Sequence, residues 1–462
     1  MEATTPSRVR ATIQAPQVSE LIVTGTAGAA IFLSTLDSGI INVALPSLQS
    51  QFHVDVSTIS LAVTLYMSVI GTTIVLFGRL ADRFGRVTVL SVGFALFGLA
   101  SLLCGTSDSA LQLNLFRVWQ GLGAAMMQAT AAALITTLVV PNRRRAALGT
   151  FTTILGLGPV TGPTLGGILL STVGWRPLFW VNLPICLLGL IGCRFLHRHS
   201  VQDRSVKLDL VGNVLLACGV FGLLYTLSGW NTASGSLATL SICVLSFLTL
   251  GIWEARCANP ILDIDLLRRA AFLGPAQAVL CIGMTIAVIL IVPPFLLQRV
   301  HHFAPWAIGS VCLSAPLGIA LTSRLSGYAI EYYGAHRVMA LGGALMFLSL
   351  IGLSLSPIDL TTSRFVGLLL LYGIGYGIYQ TPNLDILMAA LPSELQGTIG
   401  AVQRMLLNVG NAFGATVCAL FLRGRLSASD PSAGIQACWL FAAITMGLTL
   451  LVMICCRGRA KR

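Results

Sequence analysis

The amino-acid sequence predicts an all-α polytopic membrane protein: two six-helix bundles in parallel repeat, with two further helices inserted between them, giving 14 transmembrane helices. Three observations carry this expectation. The composition is too apolar for a solvated surface, the apolar residues fall into fourteen runs of spanning length, and two short motifs recur at nearly one offset along the chain.

Of the 462 residues, 55% are hydrophobic and 10% charged, with a mean hydropathy of +0.86. A soluble domain carries roughly 25% charged residues, so this chain cannot clothe itself in a solvated shell. Twelve cysteines are present. Nearly all lie in or beside apolar runs, with no CxxC pair or histidine cluster nearby, and they read as small lipid-compatible fillers rather than disulfides or metal ligands. The first twenty residues are polar and no short apolar segment with a cleavage site follows them. The first apolar run therefore reads as a retained spanner and not a signal peptide.

Crossing about 30 Å of hydrocarbon takes about 20 apolar residues. Breaks at polar or turn-rich stretches leave runs near 21–46, 57–77, 88–105, 111–140, 146–171, 177–196, 209–230, 235–254, 271–297, 305–325, 336–356, 364–391, 398–423 and 434–456. An even count puts both termini on one side. Of the 28 Lys and Arg, Arg117 and Arg404 fall inside runs, and only Arg176, Arg299, Arg364, Arg423 and Arg425 fall in loops on one side. The remaining 21, from Arg8 to Arg462, share the other side with the termini. That side is expected to be the cytoplasm. The net charge of +12 is then a matter of topology and anionic lipid, and nucleic acid is not an expected partner.

The repeat is short but registered. "GRLADRFGR" from Gly78 and "GYAIEYYGA" from Gly327 align Gly78 with Gly327, Asp82 with Glu331 and Gly85 with Gly334, all 249 residues apart. "GLGAAMMQ" from Gly121 and "GIGYGIYQ" from Gly373 share Gly, Gly and Gln at an offset of 252. Spanners one to six thus repeat as nine to fourteen, and an even number of spanners between them makes the repeat parallel, with an axis along the membrane normal. The expected units are a tail at 1–20, a bundle at 21–200, inserted helices at 201–260, a second bundle at 261–456 and a basic tail at 457–462.

Five stretches then carry a resemblance: "LDSGIINVALP" from Leu36, "GRLADRFGR", "RVWQGLGAA" from Arg117, "GLGPVTGPTLGG" from Gly156 and "GWRPLFWVNLP" from Gly174. Together and in this order they resemble the major facilitator superfamily, specifically its fourteen-spanner drug/proton antiporter branch, across the whole chain. The resemblance implies the major facilitator fold and a proton-coupled exporter of amphipathic small molecules working by alternating access.

Charged groups inside a membrane are costly and usually functional. Four sit well within the runs: Asp37, Arg117, Asp385 and Arg404. Asp37 lies about 13 Å before Pro46 and Arg117 about 9 Å from the outer end of an oppositely directed helix, so the two are expected to meet. A neighbouring Arg favours the carboxylate and burial opposes it, so a change in their separation would load or release a proton. A static ion pair is the alternative. Asp385 and Arg404, each about 10 Å from the cytoplasmic end of successive helices, form a second expected pair, either structural or a further proton site.

Gly158, Gly162 and Gly166 share one helix face and permit close approach of another helix. Pro159 and Pro163 beside that face loosen the hydrogen-bond ladder, and Gly167 continues the motif. The resemblance implies a pliant contact between the two halves here; ordinary small-residue packing is the alternative. In the loop, Gly78 and Gly85 allow tight turns, Asp82 is expected at a helix N-terminus, and Arg83 and Arg86 hold the cytoplasmic side. The resemblance implies that this loop latches the halves together in an outward-facing state. Cavity candidates implied by the family architecture are Tyr66, Met126, Met127 and Gln128 in the first half and Met284, Tyr376, Gln380 and Asn383 in the second, an adaptable Met-rich and aromatic surface.

No GxxxxGK[ST] loop, HExxH or Ser/His/Asp signature is present, so ATP hydrolysis and intramembrane catalysis are not expected, and neither are cofactors or metals. The expected partners are a small-molecule substrate, protons and the lipid bilayer, with the chain as a monomer in a bacterial cytoplasmic membrane. Two rival readings remain at this point. One keeps the fold and imports or exports a specific metabolite or siderophore by proton coupling, and the other is a non-transporting receptor or intramembrane enzyme.

Overall fold

The computed structural model describes residues 19–140, 143–199, 209–227, 233–257, 270–357, 360–389, 396–422 and 432–459. Among them the regular structure is helical, and no strand occurs. In chain order the helices are α1 (Glu20–Phe52), α2 (Val56–Phe84), α3 (Arg86–Gly105), α4 (Ala110–Leu138), α5 (Arg144–Thr172), α6 (Pro177–Trp180), α7 (Asn182–Leu196), α8 (Leu210–Leu227) and α9 (Ala233–Glu254). They continue as α10 (Ala270–Arg299), α11 (Pro305–Cys312), α12 (Ser314–Tyr333), α13 (Ala335–Leu355), α14 (Thr362–Ala389), α15 (Gln396–Leu422) and α16 (Ser432–Arg459). Eleven helical segments among the described residues are long and apolar enough to cross a membrane. Helices α5, α8 and α14 lie in the three remaining apolar runs, so each run holds a helix among its described residues, and those at 177–196 and 305–325 are each divided in two.

Two boundaries depart from expectation for a physical reason. The first run does not stop at Pro46: α1 continues to Phe52, where His53 turns into the left-handed region at φ 52° and donates its N–H to the Gln49 carbonyl. A proline inside a membrane helix removes one N–H and is tolerated there; the Ser50 hydroxyl adds a bond to the Pro46 carbonyl one turn further on, at 3.0 Å. Asp37 consequently sits near the middle of a 33-residue helix, deeper than its distance from Pro46 implies. Asp82 likewise lies in the last turn of α2 and not at a helix N-terminus.

The repeat has a geometric counterpart. A single glycine joins α2 to α3 and another joins α12 to α13: Gly85 at φ 98° and Gly334 at φ 80°. Only a residue without Cβ adopts such backbone freely, which explains why these two positions of the repeated motif are glycine.

Packing follows the same symmetry. Helix α1 packs on α5, α4 and α7, and α2 and α3 both pack on α4. Further along, α10 packs on α15 and α16, while α14 packs on both α12 and α13. Across these groups, α2 meets α15, α5 meets α11 and α12, and α1 meets α10. The second helix of one group thus meets the fifth of the other in both directions. Helix α8 pairs with α9 and touches α2 and α15.

Lipid is as apolar as leucine, so helices associate through close packing and small residues. A Cβ on Gly162 would stand 2.8 Å from the Gly39 Cα, and one on Gly166 would stand 3.3 Å from the Ile40 carbonyl oxygen. At Gly158 it would collide with Thr35. The equivalent contact of α10 with α15 is built the same way, since a Cβ on Gly414 would lie 2.5 Å from the Met284 carbonyl oxygen.

Gly162→Leu is expected to lower the melting temperature of the detergent-purified protein by several degrees, in line with the about 1–3 kcal/mol typical of overpacking. Gly78→Ala, whose Cβ would meet nothing within 4 Å, is expected to leave the melting curve in place.

Candidate functional site

The bundle formed by α1, α2, α3, α4 and α7 closes over an ion pair. Arg117 of α4 is 0% exposed and Asp37 of α1 is 2% exposed. The Arg117 Nη1 donates to the Asp37 Oδ2 at 2.5 Å. Two amides complete the carboxylate's surroundings: Gln120 Nε2 donates to Asp37 Oδ1 at 2.8 Å, and Asn182 Nδ2 donates to the same oxygen at 3.2 Å. Gln120 Oε1 in turn accepts from Arg117 Nη1 at 2.6 Å, and its amide nitrogen reaches Ser101 Oγ on α3 at 2.8 Å. The guanidinium also donates from Nε to the Ala62 carbonyl at 2.9 Å and lies over the Tyr66 ring, 4.1 Å from its centroid.

Local sequence explains this convergence. Arg117 and Gln120 are three residues apart and therefore share a helix face, while Asn182 opens α7 just after the break at Val181. A buried ion pair is tolerable only when further hydrogen bonds satisfy both partners. Here the cation and carboxylate match in charge, and amides from α4 and α7 fill the carboxylate's other lone pairs. Two buried atoms stay without a hydrogen bond, Arg117 Nη2 and Asn182 Oδ1. The carboxylate and the guanidinium thus form a closed, charge-balanced cluster in an apolar interior.

The other sequence-predicted residues fall into several places. Asp385 is exposed on α14 and Arg404 is half-buried on α15, and no ion pair among the described residues joins them. The expected pairing fails because α14 packs on α12 and α13 while α15 packs on α10 and α2; succession in the chain does not make them neighbours along their lengths. Arg404 instead lies near Tyr376.

In the loop region, Asp82 Oδ1 accepts from Arg86 at 2.9 and 3.1 Å across the Gly85 turn, and Arg86 also donates to the Ala133 carbonyl of α4 at 3.0 Å. The Arg83 guanidinium lies 5.5 Å from the centroid of the Phe84 ring. These contacts of Asp82 and Arg86 stay within the first six spanners.

Helix α5 has two small-residue stripes rather than one. Gly158, Gly162 and Gly166 face α1, in the same half. Contact with the other half runs through Pro163 and Gly167: a Cβ on Gly167 would lie 2.5 Å from the Pro305 carbonyl oxygen, and one on Gly309 would meet the Pro163 carbonyl. Pro159 is within α5, and its side chain lies outside the described ones.

Among the cavity candidates, Tyr66 is fully buried beneath Arg117, donating to the Ser34 carbonyl at 3.3 Å. Met126 and Met127 approach Gly93 of α3. These three pack inside the first bundle. Gln128, Met284 and Gln380 are half-buried, while Tyr376 and Asn383 are buried. Gln128 Oε1 and Asn383 Nδ2 are buried without a hydrogen-bond partner.

Residues missed in the sequence include Gln120, Asn182 and Ser101, although the first two stand inside motifs quoted above, and the i, i+3 spacing from Arg117 marked Gln120. At the far ends of α1 and α10, Arg299 Nη2 donates to Gln49 Oε1 at 3.0 Å and to Ser50 Oγ at 3.1 Å, beside a Gln298–Ser47 contact of 3.4 Å.

Two pseudo-equivalent groups of membrane-spanning helices, the first closing over a buried ion pair, have the architecture of a polytopic membrane transporter. A family model described as Major Facilitator Superfamily matches residues 27–415, and the chain belongs to that family. It is 28% identical over 436 residues to the riboflavin transporter RibZ of Clostridioides difficile, covering 91% of this chain and 94% of that protein. It is 30% identical over 420 residues to the multidrug resistance protein Stp of Mycobacterium tuberculosis strain CDC 1551 / Oshkosh, covering 89% of this chain and 77% of that one. The fold is similar to the crystal structure of the human organic anion transporter MFSD10, with a TM-score of 0.64 at 16% identity, covering 95% of this chain and 100% of that one.

Removing one partner of a buried pair strands the other charge at about 3–5 kcal/mol. Arg117→Leu and Asp37→Leu alone are each expected to lower the melting temperature markedly, and the double variant Asp37→Leu/Arg117→Leu to recover most of that loss. Strictly additive losses in the double variant would show that the pair is not thermodynamically coupled.

Proposed function

We propose that this member of the Major Facilitator Superfamily exports amphipathic small molecules in exchange for protons by alternating access. The observation that carries the proposal is the Asp37–Arg117–Gln120–Asn182 cluster, a buried carboxylate whose charge is balanced by a single cation. In this reading Asp37 takes up the proton and Arg117 reports it by moving, while Asp385 and Arg404 act separately from each other. The similarity to a protein named for multidrug resistance supports the substrate class.

The remaining roles follow from position. Bundles at 21–200 and 261–456 move against each other, with 201–260 inserted and the tails at 1–20 and 457–462 in the cytoplasm of a bacterial inner membrane. The polar contacts of Arg299 and Gln298 with α1 close the outer side. Gly78, Asp82, Arg83, Gly85 and Arg86 form the latch that engages when that side opens. Gln128 and Asn383, each with one buried amide atom that lacks a partner, Oε1 and Nδ2 respectively, supply polar contacts to substrate between the bundles, beside Met284, Tyr376 and Gln380. The chain works as a monomer.

The likeness to a protein named as a riboflavin transporter, along nearly its whole length, favours a second reading in which the cargo is one planar metabolite. Proteoliposomes holding a pH dye separate the two readings. Lipophilic cations and neutral drugs are expected to evoke proton movement that falls to the level of empty liposomes in Asp37→Asn. A response confined to flavin selects the second reading, and uphill transport retained by Asp37→Asn would remove the coupling role of that residue.

A further inference from the structure

We propose that the groove between the end of α12 and the start of α13 is a binding site for an anionic phospholipid, with the phosphate on Arg337 and one acyl chain laid along α12. This inference concerns a different surface from the transport site and stands without it.

The groove has a volume of about 350 Å³ and is walled by Leu325, Ala329 and Tyr333 of α12, Val338 and Leu341 of α13, and Ile378 of α14. Its two aliphatic hydroxyls are bonded to backbone: Thr322 Oγ1 donates to the Gly318 and Ile374 carbonyls, and Ser326 Oγ donates to the Ile378 carbonyl at 2.9 Å, while the Tyr333 phenol lies at the mouth. With those hydrogen bonds met internally, the lining asks only for hydrocarbon. Thr322 to Tyr333 spans eleven residues, about 16 Å of helix, which matches one leaflet of a hydrocarbon core about 30 Å thick.

The mouth of the groove is built for a headgroup. Tyr328, Tyr332 and Tyr333 are 56%, 84% and 66% exposed at the end of α12, an aromatic cluster of the kind that settles at the membrane–water interface. Arg337 lines the groove one turn beyond. It is exposed, and among the described residues it joins no ion pair, although Glu331 and His336 are exposed on the same turn. The matching turn of the first half differs, because Arg86 is held there by Asp82 and the Ala133 carbonyl. The first half holds the arginine that follows its turn glycine internally; the second has Ala335 at that position and presents Arg337, two residues on, at the end of a one-leaflet apolar channel. Charge complementarity therefore selects an anionic lipid over a zwitterionic one.

The test is native mass spectrometry of the full chain titrated with dioleoylphosphatidylglycerol or dioleoylphosphatidylcholine. One phosphatidylglycerol is expected to be retained at concentrations where phosphatidylcholine is lost. Arg337→Gln is expected to weaken it about fivefold, the usual worth of one surface cation near anionic lipid, and Arg337→Lys to restore it. Ala329→Trp, which fills the channel, is expected to displace the retained lipid without lowering the melting temperature. Equal retention of the two lipids, or no response to Arg337→Gln and Ala329→Trp, would overturn the proposal. Displacement of the lipid by a lipophilic cation that binds more tightly in Arg337→Gln would also overturn it and make the groove a cargo entrance.

Discussion

A carboxylate in the middle of a membrane helix has no water to fall back on, and the arrangement of the first bundle follows from that. Asp37 is met by a guanidinium from α4, an amide one turn further along α4 and an amide from α7, while the guanidinium rests on a tyrosine ring from α2. Five helices must be in register for these groups to meet. The cluster is therefore both the most demanding feature of the bundle and the one that fixes its internal alignment, since a shift of any contributing helix strands a buried polar group.

The second half does not copy this solution. At the repeat offsets of 249 and 252 residues, the positions of Asp37, Arg117 and Gln120 correspond to Ile286, Leu369 and Tyr372. There a neutral hydroxyl pair, Thr285 with Tyr372 at 2.7 Å, links α10 and α14. The two groups share backbone architecture, including single-glycine turns and glycine-mediated helix contacts, but differ electrically. Among the described residues the two halves share what packing requires, while a buried ion pair occurs in the first half alone.

Backbone and spacing were readable in the sequence; lateral neighbourhood was less so. Apolar runs located every helix because spanning length is a one-dimensional property. The meeting of Asp37 and Arg117 was readable because unpaired membrane charges at similar depth have few alternatives. The same logic failed for Asp385 and Arg404, whose helices follow one another but pack chiefly on different partners. Gln120 and Asn182 passed unnoticed because amides carry no charge to draw attention, although their positions in recurrent motifs were visible. The α5 glycines revealed one stripe by their spacing of four. The second stripe, through Pro163 and Gly167, became evident only when α11 was seen against it.

That two-sided helix has a mechanical meaning. On the face toward α11 the opposing atoms are backbone: the Pro163 carbonyl against Gly309, and the Pro305 carbonyl against Gly167. The two main chains therefore approach one another directly at these points, with no Cβ between them. On the face toward α1 the Thr35 side chain stands against Gly158, while Gly162 and Gly166 again meet backbone, that of Leu36, Gly39 and Ile40. Helix α5 is therefore pressed to backbone distance on two sides at once, a wall shared by the two halves with no room for a larger residue on either face.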